Sequence, residues 1–334
     1  MNILKVTCVL ALIIFGGWGC AQNQDIAKTT SQNIAQDTYA LFSVNVQDFS
    51  YPEKSAETVR KIIDIHEKYH VPVDIYLTST MVDLYEKDHP ELLQKIKESS
   101  WAAAAYHIRP PYPYHAQAFD GIGLSALPKS EQYQTIMKYE THGIDLATGE
   151  TTEAPGGYAH LKEIMGYAPY VVGIASDPEI AGVVGSVYKN LGAQFAVAHS
   201  DNNIANLGDE RYGLLARPEH VDLRLFEHLE EDAKALIDQS FIDAKQKKGG
   251  EAPWFVGIKV HDNDFFAEDS AWVTVYLAKG ARKGPPYNTS LTSSLISPEQ
   301  SAELWSLYEQ TVAYVADHYQ SINAPGLKKL LESK

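Results

Sequence analysis

Three short stretches hold the residues of this chain best suited to chemistry. Asn45-Val46-Gln47-Asp48 closes an apolar run with a carboxylate. Tyr106-His107-Ile108-Arg109-Pro110-Pro111-Tyr112-Pro113-Tyr114-His115 places two histidines, an arginine, three prolines and three tyrosines within ten residues. Val260-His261-Asp262-Asn263-Asp264 sends a histidine out of an apolar run into an acidic turn. Aspartate oxygen and imidazole nitrogen together suit a divalent metal such as Zn2+ with one position open for water. Such a metal lowers the pKa of its water and polarises a carbonyl, and a separate histidine can protonate the leaving group. Prolines stiffen the second stretch, and its tyrosines offer flat faces for sugar rings. Each stretch also has a structural reading. Aspartate after a strand is a common turn residue, the tyrosine loop can pack on a rim, and His261 can be held by Asp262 or Asp264.

These stretches matter together only if the fold brings them to one place. Tyr39 to Val46, Val71 to Leu77, Trp101 to Tyr106, Phe195 to Ala198 and Trp254 to Val260 read as apolar strands. Between them Ser55 to Tyr69, Glu91 to Glu98, a helix capped by Ser130, Val183 to Leu191 and Glu230 to Lys247 read as helices. Ser297-Pro298-Glu299-Gln300 is a capping box with proline at the first helical position, opening a last helix to about Tyr319. Alternating strands and helices build βα units around a parallel sheet. With no Pro/Gly/Ser linker from Thr38 onward, one α/β barrel is expected over residues 38–324. In such barrels chemistry sits beyond the carboxyl ends of the strands, where all three stretches fall.

The remaining composition narrows the partners. Of 334 residues 43 are acidic and 28 basic, a formal charge of −15, which repels a phosphate backbone and excludes nucleic acid as a partner. The two cysteines, Cys8 and Cys20, lie in the first twenty residues, so the folded part has neither a disulfide framework nor a cysteine zinc site. Lys5, the apolar run Val6 to Phe15 and the small residues Gly16, Gly17 and Gly19 read as an export signal over residues 1–20. Cleavage before Cys20 would leave a lipid-bearing cysteine, and cleavage after Ala21 is the alternative. The polar stretch that follows, residues 21–37, reads as a flexible tether. The expected location is outside the cytoplasm, on a membrane through the N-terminal lipid alone. No protein partner is expected.

The order of segments resembles the polysaccharide deacetylase family, also called NodB-homology or carbohydrate esterase 4-like, over roughly Tyr39 to Tyr319. Phe42 to Asp48 is similar to its first motif, and Ser55 to Tyr69 followed by Val71-Pro72-Val73-Asp74-Ile75-Tyr76-Leu77-Thr78 to its helix and following strand. Trp101 to His107 lies where its metal histidines begin. Ala154-Pro155-Gly156-Gly157-Tyr158 is similar to its third motif, and Ile258-Lys259-Val260-His261-Asp262 to its last. The resemblance implies a distorted (β/α)7 barrel and metal-dependent removal of acetyl groups from sugars. The resemblance carries Asp48 and His107 to the metal and His261 to the general acid; in the enzyme reading His115 joins the metal by a different loop path, and Arg109, Tyr112, Tyr114 and Tyr158 orient the glycan.

Departures from the family pattern are as informative. The family's catalytic base corresponds here to Gln47, whose amide takes no proton from water at pH 7. The second histidine's usual place is Pro111, and the third-motif arginine's place falls near Glu153. Two functions are therefore expected: a metal-dependent hydrolase of an acylated glycan, or a lapsed deacetylase that keeps the barrel to hold a glycan or envelope component. A metal-free glycosidase using carboxylates such as Glu153 and Asp262 is a third.

Overall fold

A computed structural model describes residues 37–115, 123–197, 205–278 and 281–333. The export signal, both cysteines and nearly all of the expected tether lie outside these residues.

Strand β1 (Thr38–Val46) is buried along almost its whole length, and its two faces serve different layers. Ala40, Phe42, Val44 and Val46 join the outer core with the surrounding helices, while Leu41 belongs to a separate inner cluster. That two-sided burial is why the sequence reads as a continuous apolar run rather than an alternation. Helix α1 (Pro52–Tyr69) buries Ala56, Val59, Ile62 and Ile63 on one stripe and stops at His70, whose left-handed φ of 57° lets Val71 N donate back to His66 O. Then follow β2 (Val73–Leu77), α2 (Ser79–Asp88), α3 (Pro90–Glu98) and β3 (Ala102–His107).

After helix α4 (Lys129–Tyr139), a small hairpin of β4 (His142–Ile144) and β5 (Thr151–Pro155) stands apart from the main sheet and leads into α5 (Gly157–Met165). Strand β6 (Val171–Gly173), helix α6 (Pro178–Leu191), and strands β7 (Phe195–Val197), β8 (Glu210–Arg211), β9 (Leu214–Ala216) and β10 (Val221–Arg224) continue the chain. It closes with α7 (Ala233–Lys248), β11 (Trp254–His261), α8 (Ala271–Tyr276), the short pair β12 (Leu277–Ala278) and β13 (Ala281–Arg282), α9 (Pro298–His318), β14 (Gln320–Ser321) and α10 (Ala324–Glu332).

The strand order is β10-β11-β1-β2-β3-β6-β7-β9-β8, and every neighbouring pair is parallel except β8 with β9. A curled parallel sheet with helices outside is the distorted barrel architecture expected. Register fixes what stands at its carboxyl end. Asn45 pairs with His261, Val46 with Leu77, Leu77 with Tyr106, and His107 with Gly173. The three stretches singled out by chemistry therefore leave the sheet on the same side.

The other end is closed by the C-terminal helix. Strand β14 pairs with the start of β1, and Ala324 N donates to the Asp74 carboxylate at 3.1 and 3.2 Å. Ala324 and Leu327 then pack with Leu41, Phe255 and Phe195 inside the sheet. The expected boundary at residue 324 falls on the first residue of this helix, and the folded unit runs on to Glu332.

Boundaries moved where capping differed from its sequence cue. Ser130 caps nothing: α4 begins at Lys129 behind Pro128 with no side-chain cap. Asp177 caps α6 at Pro178, five residues before the expected start. The Ser297–Gln300 capping box is present as read.

Candidate functional site

Asp262 is the hinge of the carboxyl-end face. It follows β11 and is fully buried, and its oxygens accept the backbone N–H of Gln47 and of Asp48, both at 3.1 Å, and the Ser55 hydroxyl at 2.5 Å. Ser55 lies 2.6 Å from the Tyr85 hydroxyl, so the chain of contacts runs from β11 across the end of β1 to α2. Burial, with the Asp48 charge adding to it, pushes the Asp262 carboxyl up to about 7.

Asp48 turns away from the role expected of it. It is fully buried, and its Oδ1 accepts Ser50 N, Ser50 Oγ and Tyr51 N at 2.9, 2.6 and 3.2 Å. This is the turn-forming aspartate of the structural reading. Its Oδ2 is buried with no hydrogen-bond partner. Burial raises its pKa against the lowering pull of Ser50 and nearby backbone N–H groups.

Gln47 is buried and both ends of its amide are engaged. Nε2 donates to Asn263 Oδ1 at 3.2 Å, and Oε1 accepts from Arg109 Nε at 2.5 Å. The Arg109 guanidinium then reaches His107, with Nη1 3.0 Å from Nε2. Arginine carries donors only and the Ile108 carbonyl, 2.6 Å from His107 Nδ1, accepts only. His107 is therefore the neutral tautomer with its proton on Nδ1 and its Nε2 lone pair pointed at Arg109. Gly173 makes room for this ring: a Cβ there would stand 2.7 Å from His107 Cδ2. On its other side Arg109 lies over Trp272, 5.7 Å from the ring centroid. Burial lowers the guanidinium to about 10, opposed by the Asp262 charge.

His115 is buried, bridges to Ser176 and lies 6.3 Å from the Trp272 ring. Burial, with the Arg109 charge second, pushes it down to about 3. His261 is half-buried, unlike the buried His107 and His115. Its side chain keeps 20% exposure, its Nδ1 lies 3.1 Å from Asp264 Oδ2, and its ring lies 5.6 Å from Phe226.

The expected metal set does not fit a metal as it stands. The Nε2 lone pair of His107 is directed at a guanidinium, Asp48 offers one free oxygen, and among the described residues no three histidine, cysteine or acidic groups converge closely enough to hold an ion.

The tyrosines expected to stack on sugars are interior. Tyr112, Tyr114 and Tyr158 are 3%, 0% and 0% exposed. They surround Glu140, a fully buried carboxylate that accepts Tyr114 Oη at 2.6 Å, Tyr188 Oη at 2.5 Å and Tyr158 N at 2.9 Å. An aromatic ring with a polar tip is the natural lining for a buried charge, which explains the loop's composition without a ligand. Gly157, at φ +63°, lets α5 begin against the Glu140 backbone, where a Cβ would stand 2.5 Å away. Of the third-motif stretch, Glu153 to Pro155 lie exposed on the β4–β5 hairpin, and Gly156 to Tyr158 are buried at the start of α5.

Two networks were not anticipated from the sequence. One is the Glu140 cluster. The other lies inside the sheet, where Arg217 donates to Ser43 and pairs with Asp74 and Glu219, and Lys259 lies 2.7 Å from Asp222. Alternating apolar and polar residues along β2 and β11, with Asp74 and Lys259 at positions that face inward, are the trace it leaves.

No family model and no curated protein matches this chain. Solved structures do. The 4-alpha-glucanotransferase of Thermococcus litoralis aligns over 88% of this chain and 40% of its own, with a TM-score of 0.52 at 10% identity. The likeness is one of fold. The chain thus spans less than half of that enzyme's length. A polysaccharide deacetylase from Mycobacterium smegmatis, described only by similarity, aligns over 89% of this chain and 90% of its own, with a TM-score of 0.46 at 12% identity. The peptidoglycan deacetylase PdaC of Bacillus subtilis aligns over 89% and 93%, with a TM-score of 0.40 at 12% identity.

Proposed function

We propose that the carboxyl-end face of this barrel binds a glycan, and that the metal-dependent deacetylation its sequence resembles has lapsed. One observation carries the reading. At the position of the family's base stands Gln47, whose amide is bonded at both ends, to Asn263 and to Arg109. An amide so held neither accepts a proton nor is free to aim a water. Support for a glycan ligand comes from the half-buried rings of Trp272 and Phe226 and the polar groups of Arg109 and His261 beside them. Flat apolar faces next to directional polar groups are what a sugar ring requires.

A second reading, hydrolysis with His261 as acid, is favoured by the His261–Asp264 contact, which orients the imidazole. The two separate in one experiment. The full chain is titrated with N-acetylglucosamine oligomers and with insoluble peptidoglycan while released acetate is measured. Binding without acetate release is expected. Acetate release that vanishes in Asp48→Ala restores the hydrolase, and no binding to either probe overturns the glycan assignment.

A further inference from the structure

We infer that the Arg109 guanidinium occupies the place where the sequence resemblance puts a divalent cation, so that this face carries a fixed internal positive charge and takes up no metal. The inference is independent of whether a glycan binds.

Three contacts hold the guanidinium there. Its Nη1 is directed at His107 Nε2, its Nε at Gln47 Oε1, and its Cζ lies over the Trp272 ring. Metal binding needs a free imidazole lone pair, and the one His107 offers points at Arg109. Gln47 and Arg109 also make sense only as a pair. A carboxylate at residue 47 next to a metal would serve the metal's water, whereas a neutral carbonyl oxygen next to a guanidinium simply accepts its N–H. Loss of the base and arrival of the internal cation are then one change in two residues. The chemistry narrows accordingly. A guanidinium orients and neutralises oxygen atoms through N–H donors, and it does not turn a bound water into hydroxide.

The test is metal uptake by the full chain. Wild type and Arg109→Gln are titrated with Zn2+ by calorimetry and with Co2+ by its visible absorption. Wild type should show no saturable 1:1 uptake. Arg109→Gln, which frees the His107 Nε2 lone pair beside the unpaired oxygen of Asp48, should bind Zn2+ weakly but at least about tenfold more tightly than wild type, and the added change His107→Ala should abolish this. Arg109→Met, neutral and of similar length, replaces Arg109→Gln if the latter does not fold by circular dichroism. Stoichiometric metal on the wild type that His107→Ala removes would overturn the inference. So would folded Arg109→Gln or Arg109→Met proteins that take up no metal, because the guanidinium would then not be what stands in the ion's place.

Discussion

Glu140 and Asp262 are both fully buried carboxylates, and each accepts three hydrogen bonds. Counting bonds does not tell them apart. Their neighbours do. Glu140 is surrounded by tyrosines, with Tyr114, Tyr158 and Tyr188 drawn from a loop and two helices, and its pKa is raised by burial alone. Asp262 faces a second carboxylate, Asp48, and lies near the cation Arg109. One carboxylate fastens outer elements together, and the other ties the end of β11 to the residues that line the candidate site. A buried acid becomes relevant to chemistry through the other charges it meets, more than through the number of its donors.

The largest effect that would test this contrast is on stability. Glu140→Ala leaves two tyrosine hydroxyls and one N–H without an acceptor, at roughly 1–3 kcal/mol for each buried group. We expect a loss of about 3–5 kcal/mol in urea denaturation, with glycan binding by the remaining folded protein unchanged. A smaller loss, or a specific loss of binding, would erase the distinction between the two carboxylates.

Asp262 should show itself through pH instead. Its folded pKa of about 7 lies above the ordinary carboxylate value near 4. The folded state therefore holds a proton that the unfolded state has released, and its contribution to stability is complete below about pH 4 and lost as pH rises to 7. A decline on the order of 3 kcal/mol between those values is expected, and Asp262→Asn should flatten it. Denaturation curves at pH 4.5 and 7.5 measure both; an unchanged slope in Asp262→Asn would assign the titration elsewhere.

Smaller effects separate the open face from the interior aromatics. Trp272→Ala should weaken binding of N-acetylglucosamine oligomers by about tenfold, an aromatic contact of roughly 1–1.5 kcal/mol. Tyr112→Phe should leave binding unchanged, since that ring is interior. Equal losses in both would return the tyrosines to the ligand. The smallest expected change is none at all: Gln47→Asp should give no acetate release from acetylated sugars, because Arg109 still points at His107. A gain in acetate release would mean that the base alone was missing.

How much was legible in the sequence follows from these same residues. Strand β1 was readable because burial on both faces leaves a long apolar run, and β2, β3 and β11 because apolar residues still dominate them; parallel pairing then put Gln47, His107 and His261 at one end. Strands β6, β9 and β10, three or four residues each, were not read, although β7 of the same length was. Helix α2 was missed because it follows β2 directly, capped by Thr78 rather than by a turn. The site was harder. Sequence shows that Tyr112, Tyr114, His107 and Arg109 are neighbours, but their direction depends on partners far away. Glu140 draws the tyrosines inward, Gln47 draws Arg109 toward β1, and Asp48 folds its carboxylate onto its own turn. Residues of one loop thereby split between core and face, a division no local spacing encodes.

The closure of the sheet by α10 gives the molecule a polarity. Thr38 begins β1 beside the residues that β14 and α10 cover, and the nine residues of β1 carry the chain about 30 Å to the opposite pole, where Gln47 stands. Thr38, the first residue of β1, and α10, which ends at Glu332, thus both belong to the blind end. Held by either end, whether on a surface or on another domain, the protein would turn its open face outward. Reach toward an external polymer would then be set by the attachment, with no rearrangement of the barrel needed.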